Sequence, residues 1–124
     1  MPVSHRNYAD ARAVMPTGRL DHGNCESFRG ELAVHLDACA ASGERLVLDL
    51  AGLEYVSSAG LRCLMLAAKE ASARKVRMVV AGMQPVVAEI FQISRFHLVF
   101  DVFPTVRDAL AALSPQAVQA FDRG

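Results

Sequence analysis

Two short runs constrain the fold more than anything else in this chain. Leu46-Val47-Leu48-Asp49-Leu50 and Val76-Arg77-Met78-Val79-Val80-Ala81 are each too short for a helix of ordinary length and are apolar at every position but one, Asp49 in the first and Arg77 in the second. A strand buried on one face alternates apolar with polar residues, whereas one buried on both faces reads as a near-continuous apolar run. Each run is followed by a segment of helical periodicity. After the first come Leu61, Leu64, Met65, Ala68 and Ser72, and after the second Val86, Val87, Ile90, Phe91 and Ser94. Strands covered on both sides and joined through helices imply a parallel sheet, because parallel neighbours require crossover connections.

The remaining segments extend this pattern. Residues 3–8 and 11–16 suit short strands, and Thr17-Gly18 and Leu20-Asp21-His22-Gly23-Asn24 carry turn chemistry. Asp21 or Asn24 is placed to cap a helix in which Phe28, Leu32, Leu36 and Cys39 recur, stopped by Ser42-Gly43. Gly82 ends the second buried strand, and Pro85 suits the first turn of the next helix. Leu98-Val99-Phe100 reads as a last short strand, and Thr105-Val106-Arg107-Asp108 resembles a capping box that opens a helix through Leu113. The expected order is β-β-α-β-α-β-α-β-α. Its central sheet is mixed but mostly parallel, antiparallel only at the N-terminal edge, with four helices at about 24–41, 58–72, 85–94 and 105–113. Residues 1–113 are expected to form a single domain, with its core at about 10–113, and 114–124 a loose helix or disordered tail.

Composition removes several function classes. The chain has 124 residues, with 13 basic and 13 acidic side chains, so the net charge is zero and no nucleic-acid partner is indicated. No apolar run approaches the roughly 18 residues of a membrane span. Met1 to Tyr8 lacks the apolar stretch of a secretory signal, so a cytoplasmic location is expected. Cys25, Cys39 and Cys63 show no metal-type spacing and read as small apolar fillers. His5, His22, His35 and His97 form no ligand pair, so no metal site or cofactor is expected.

Chemistry concentrates at Tyr55-Val56-Ser57-Ser58-Ala59-Gly60-Leu61, where a strand end turns into a helix N-terminus. The unpaired N–H groups and positive dipole end there favour negative charge. A serine at such a place can be a cap, a nucleophile or a phosphate acceptor. The nucleophile reading requires Gly-x-Ser-x-Gly, but the window centred on Ser58 begins with Val56. His97 and Asp101 offer a base and an acid, without an oxyanion loop to complete a site. No Gly-x-x-x-x-Gly-Lys phosphate loop is present either. The chain is therefore not expected to be an enzyme.

The order of these segments carries a resemblance. Gly18-Arg19-Leu20-Asp21, Leu48-Asp49-Leu50, Ser57-Ser58-Ala59-Gly60-Leu61-Arg62, Gly82 and Thr105-Val106-Arg107-Asp108-Ala109-Leu110 together resemble the STAS domains of bacterial anti-sigma factor antagonists over residues 10–113. The resemblance implies a STAS-like fold and a protein that, unphosphorylated, binds a kinase-type anti-sigma factor. That partner uses ATP and magnesium to phosphorylate a serine, and a metal-dependent phosphatase reverses the reaction. Aligning Gly60-Leu61 with the family's Asp-Ser-Ser/Thr-Gly-Leu makes Ser58 the acceptor, with Ser57 in place of the Asp and as a secondary acceptor. It also implies a docking face of Asp21, Ser57, Ser58, Gly60, Leu61 and Arg62; the apolar stripe of the helix itself puts Leu61 towards the core and leaves Arg62 exposed. The alternative within the same fold is a STAS-type interaction module with no phospho-switch, such as a small subunit of a transport system or a signalling scaffold.

Overall fold

The computed structural model describes residues 3–124, and its central sheet follows the alternation seen in the sequence. The strands are β1 (Val3–Tyr8), β2 (Ala11–Pro16), β3 (Gly18–Leu20), β4 (Arg45–Asp49), β5 (Leu53–Val56), β6 (Met78–Ala81) and β7 (Val102–Phe103). The helices are α1 (Cys25–Ser42), α2 (Ser58–Ala73), α3 (Pro85–Ile93), α4 (Val106–Leu113) and α5 (Pro115–Asp122). The main sheet has the order β1-β2-β4-β6-β7, and only the β1/β2 hairpin is antiparallel. A second, two-stranded parallel sheet pairs β3 with β5, Leu20 lying opposite Val56.

The two faces of the main sheet carry different side chains. Val14, Leu46, Leu48 and Val80 meet α1, α2 and α3 in the larger core, where Phe28, Leu32, Leu36 and Phe91 are fully buried. Each such side chain contributes about 1.5–3 kcal/mol of transfer free energy. The opposite face is lined by Ala11, Ala13, Val47, Val79 and Ala81, and is covered by α4 and α5 through Ala109, Leu110 and Ala117. Helix α1 stops where the sequence indicates. Gly43 adopts φ +79°, and its N–H donates to the Cys39 carbonyl at 2.8 Å.

Several expectations are corrected. Residues 114–124, expected as either a loose helix or a disordered tail, contribute a packed fifth helix, α5, where four helices were expected. Ser114 caps it by accepting from the Ala117 N–H at 3.3 Å, and its hydroxyl also donates to Asp10. Leu98-Val99-Phe100 is not a strand. Arg95 turns into a left-handed conformation (φ +62°), Phe96–Leu98 form a short 3-10 turn, and Phe100 is buried against Phe91 and Phe96. The edge strand follows two residues later. The buried stripe of α2 is Gly60, Leu61, Cys63, Leu64, Ala67 and Ala71, leaving Ser72 exposed. On α3 only Val87 and Phe91 are buried, whereas Val86 and Ser94 face solvent.

Candidate functional site

The serine turn lies where β5 ends and α2 begins, and its backbone is tied to the end of β3. The Ser57 N–H donates to the Leu20 carbonyl at 2.9 Å. Gly60 lies against the same carbonyl: a Cβ there would sit 2.5 Å from the Leu20 oxygen and 3.0 Å from Val56 Cγ1. Only glycine allows the first turn of α2 to approach β3 this closely. Asp21 follows Leu20 directly, so this approach brings the Asp21 turn to the start of α2.

The two serines have different roles. Ser57 is the N-cap, with extended backbone (φ −81°, ψ 174°), and its Oγ accepts from the Gly60 N–H at 3.1 Å. Ser58 is the first helical residue. Its side chain is exposed and makes no hydrogen bond among the described residues. The Ser57 hydroxyl and carbonyl take the N–H groups of Gly60 and Leu61. Those of Ser58 and Ala59, at the start of the helix, lie outside the intrahelical ladder and face the positive end of the dipole.

The Asp21 turn is held by its own side chains, and neither Asp21 nor Asn24 caps α1 in the expected way. The Asn24 Oδ1 accepts from the Asp21 N–H at 2.9 Å, and its Nδ2 donates to the Arg19 carbonyl at 2.6 Å. Asp21 Oδ1 accepts from the Gly23 N–H at 2.9 Å. Asn24 stands at the N-cap position without a capping bond from its side chain. Leu61 is 9% exposed and belongs to the core, while Arg62 is exposed and forms no ion pair among the described residues. The residues named from the sequence therefore gather around one turn, with Asp21, Ser58 and Arg62 accessible and Gly60 and Leu61 beneath them.

Two neighbours escaped the sequence reading. The Arg19 guanidinium lies 4.5 Å from the centroid of the Tyr55 ring, a cation–π contact across the β3/β5 pair. Neither strand is long enough to show periodicity, so nothing in the sequence signals their contact. The triad suggested by His97 and Asp101 does not assemble. His97 Nδ1 lies by the Phe91 carbonyl at 3.5 Å, and Asp101 pairs with Arg77.

The three cysteines are buried, as expected of fillers, but Cys25 and Cys63 are also neighbours across α1 and α2. Burial, reinforced by Cys25, pushes the Cys63 thiol up to about 12. Burial also raises Cys39. No helix among the described residues is long and apolar enough to cross a membrane.

This arrangement defines a class: a small α/β domain with a mostly parallel sheet covered on both faces and an accessible strand-to-helix turn at the start of α2. The STAS domain model matches residues 4–109. BtrV of Bordetella bronchiseptica, a proposed anti-sigma factor antagonist, is 41% identical over 96 residues, covering 77% of this chain and 78% of that protein. Among solved structures, a proposed anti-sigma factor antagonist from Thermotoga maritima superposes with a TM-score of 0.78 at 15% identity, covering 89% of this chain and 92% of the other. The anti-sigma factor antagonist SpoIIAA in its unphosphorylated form gives 0.70 at 17% identity, covering 90% of this chain and 96% of the other. Bacillus SpoIIAA in its phosphorylated form gives 0.62 at 16% identity, covering 91% and 100%. The chain belongs to the STAS domain family, among its anti-sigma factor antagonists, which are regulatory binding proteins rather than enzymes.

Proposed function

We propose that this protein is an anti-sigma factor antagonist that binds a kinase-type anti-sigma factor when unphosphorylated and is switched off by phosphorylation of Ser58. The observation that carries this reading is the division of labour at the turn. Ser57 supplies the cap, so the Ser58 hydroxyl is exposed and uncommitted at the first position of α2. The kinase-type partner supplies ATP and magnesium, and a metal-dependent phosphatase restores the hydroxyl, all in the cytoplasm. SpoIIAA is known in both unphosphorylated and phosphorylated forms, which supports a fold able to carry a phosphoryl group.

A phosphoserine adds about −1.5 to −2 charges. The helix N-terminus favours that charge, whereas a protein interface must desolvate it and oppose it to any carboxylate of the partner. The switch therefore acts on binding and leaves the fold in place. The same charge would sit beside Asp21 and Arg62, the other accessible residues of the docking face.

Mass spectrometry of the chain incubated with its kinase-type partner, ATP and magnesium tests the site, and titration of Ser58→Ala and Ser58→Asp tests the switch. Phosphate is expected on Ser58. Ser58→Ala should bind as the parent does, and Ser58→Asp should bind about 5- to 150-fold more weakly. Phosphate on Ser57 alone would move the acceptor to the cap. No phosphate on either serine, with Ser58→Asp binding as tightly as the parent, would make this a STAS module without a phospho-switch.

A further inference from the structure

Cys25 and Glu26 open α1, and Cys63 lies one turn into the buried stripe of α2. One ligand atom from each of the three, the two Sγ atoms and a Glu26 carboxylate oxygen, lie within 4.8 Å of one another. The sulfurs are almost fully buried, Cys25 being 5% and Cys63 4% exposed, whereas the Glu26 side chain is 77% exposed. We propose that Cys25, Cys63 and Glu26 form a site for a thiophilic divalent cation, with Zn2+ or Cd2+ as its chemical class.

The donor set suits such an ion. Two thiolates and one carboxylate are ligand types that tetrahedral zinc accepts, and sulfur selects against magnesium and calcium. Metal–sulfur bonds near 2.3 Å place two sulfurs on one ion about 3.8 Å apart, so a small closure of atoms already within 4.8 Å suffices. Glu26 stands at the solvent rim and gives the ion a route in. His22, exposed and three residues before Cys25, lies at the same rim. Its carbonyl is 3.9 Å from the Cys25 sulfur, which donates to it.

Binding displaces one proton from each thiol, and the dication with two thiolates and one carboxylate leaves a net charge of −1. Joining the start of α1 to α2 would fix the two segments that border the serine turn. The site nevertheless stands whether or not Ser58 is phosphorylated. Nothing in the linear spacing announces it, since 37 residues separate Cys25 from Cys63.

The test is a Cd2+ titration of the full reduced chain under anaerobic conditions, followed by the thiolate-to-cadmium ultraviolet charge-transfer band. The band should saturate at one Cd2+ per chain, release two protons, and be competed away by Zn2+. Cys25→Ser and Cys63→Ser should each abolish it, Cys39→Ala should keep it, and Glu26→Gln should weaken binding by at least about tenfold. Because a buried Cys→Ser change can impair folding, X-ray absorption of the unmutated chain loaded with Zn2+ provides a second measurement, with two sulfur neighbours expected. A single sulfur neighbour, a band that depends on Cys39, or equal Cd2+ binding by folded Cys25→Ser and the parent would overturn the proposal.

Discussion

Replacing each serine of the turn in turn by alanine separates the cap from the exposed hydroxyl. Ser57→Ala removes the acceptor of the Gly60 N–H, a 3.1 Å bond at a buried residue that water cannot easily replace. Loss of a serine cap costs about 0.5–2 kcal/mol, and the burial of Gly60 places this one in the upper half, at about 1.5 kcal/mol. For a chain of this length that corresponds to a fall in melting temperature of roughly 5 °C. Ser58→Ala removes an exposed hydroxyl with no hydrogen-bond partner among the described residues and gains a few tenths of a kcal/mol of helix propensity, so its stability should stay within about 0.5 kcal/mol of the parent. Urea unfolding followed by circular dichroism measures both, and an unchanged slope confirms that the comparison is one of stability alone. If Ser58→Ala proved as destabilising as Ser57→Ala, the assignment of cap and free hydroxyl would be wrong. The inference drawn from it about the acceptor would then lose its support.

Three further outcomes follow from the packing. Gly60→Ala should destabilise by about 1–3 kcal/mol or more, because the new methyl group meets the backbone oxygen of Leu20 at 2.5 Å and cannot displace it cheaply; the same urea assay reads the loss. Ending the chain after Leu113 should lower the melting temperature measurably and increase binding of an apolar dye, since it removes Ala117 from the core and the Ser114 hydroxyl from Asp10. Asp10 titrates below its ordinary value, chiefly because it accepts from Ser114, with burial opposing and its own backbone N–H and then Arg45 adding to the lowering. A depressed carboxylate contributes stability above its unfolded pKa that is lost as pH falls through its folded one. Acid unfolding of Asp10→Asn should therefore be less steep than that of the parent over the carboxylate range.

Much of this fold was legible because its central strands are buried on both faces. The runs at 46–50 and 76–81 can hardly be anything but inner strands of a covered sheet, and α1 and its glycine stop were equally plain. What escaped depended on tertiary partners. Strands β3 and β5, three and four residues long, are stabilised by each other rather than by any pattern of their own. Leu98-Val99-Phe100 has strand-like residues, yet the aromatic contacts of Phe100 with Phe91 and Phe96 hold it in a loop. On α2 the expected stripe of Leu61, Leu64, Met65, Ala68 and Ser72 holds at Leu61 and Leu64, but the buried face is completed by Gly60, Cys63, Ala67 and Ala71, small residues that admit close approach. The serine turn was visible in Ser57-Ser58-Ala59-Gly60-Leu61. The contacts that complete its surroundings, Arg19 with Tyr55 and Cys25 with Cys63, join residues distant in sequence.

The resemblance implies that Ser57 stands where the family carries an aspartate, and this bears on how a phosphoryl group on Ser58 would be felt under the proposed function. An aspartate at the cap would place a fixed negative charge next to the incoming one, and like charges at that distance oppose each other. Serine caps through a neutral oxygen and accepts the Gly60 N–H without adding charge. The dipole and the free N–H groups of Ser58 and Ala59 are then available to the phosphate alone, a favourable effect of about 0.3–1 kcal/mol at an exposed helix end. That local gain has the opposite sign to the loss of about 1–3 kcal/mol expected at the docking face. Under the proposed function, phosphorylation therefore leaves the helix slightly more stable while weakening the complex. The absence of a charged cap makes the contrast between the two larger.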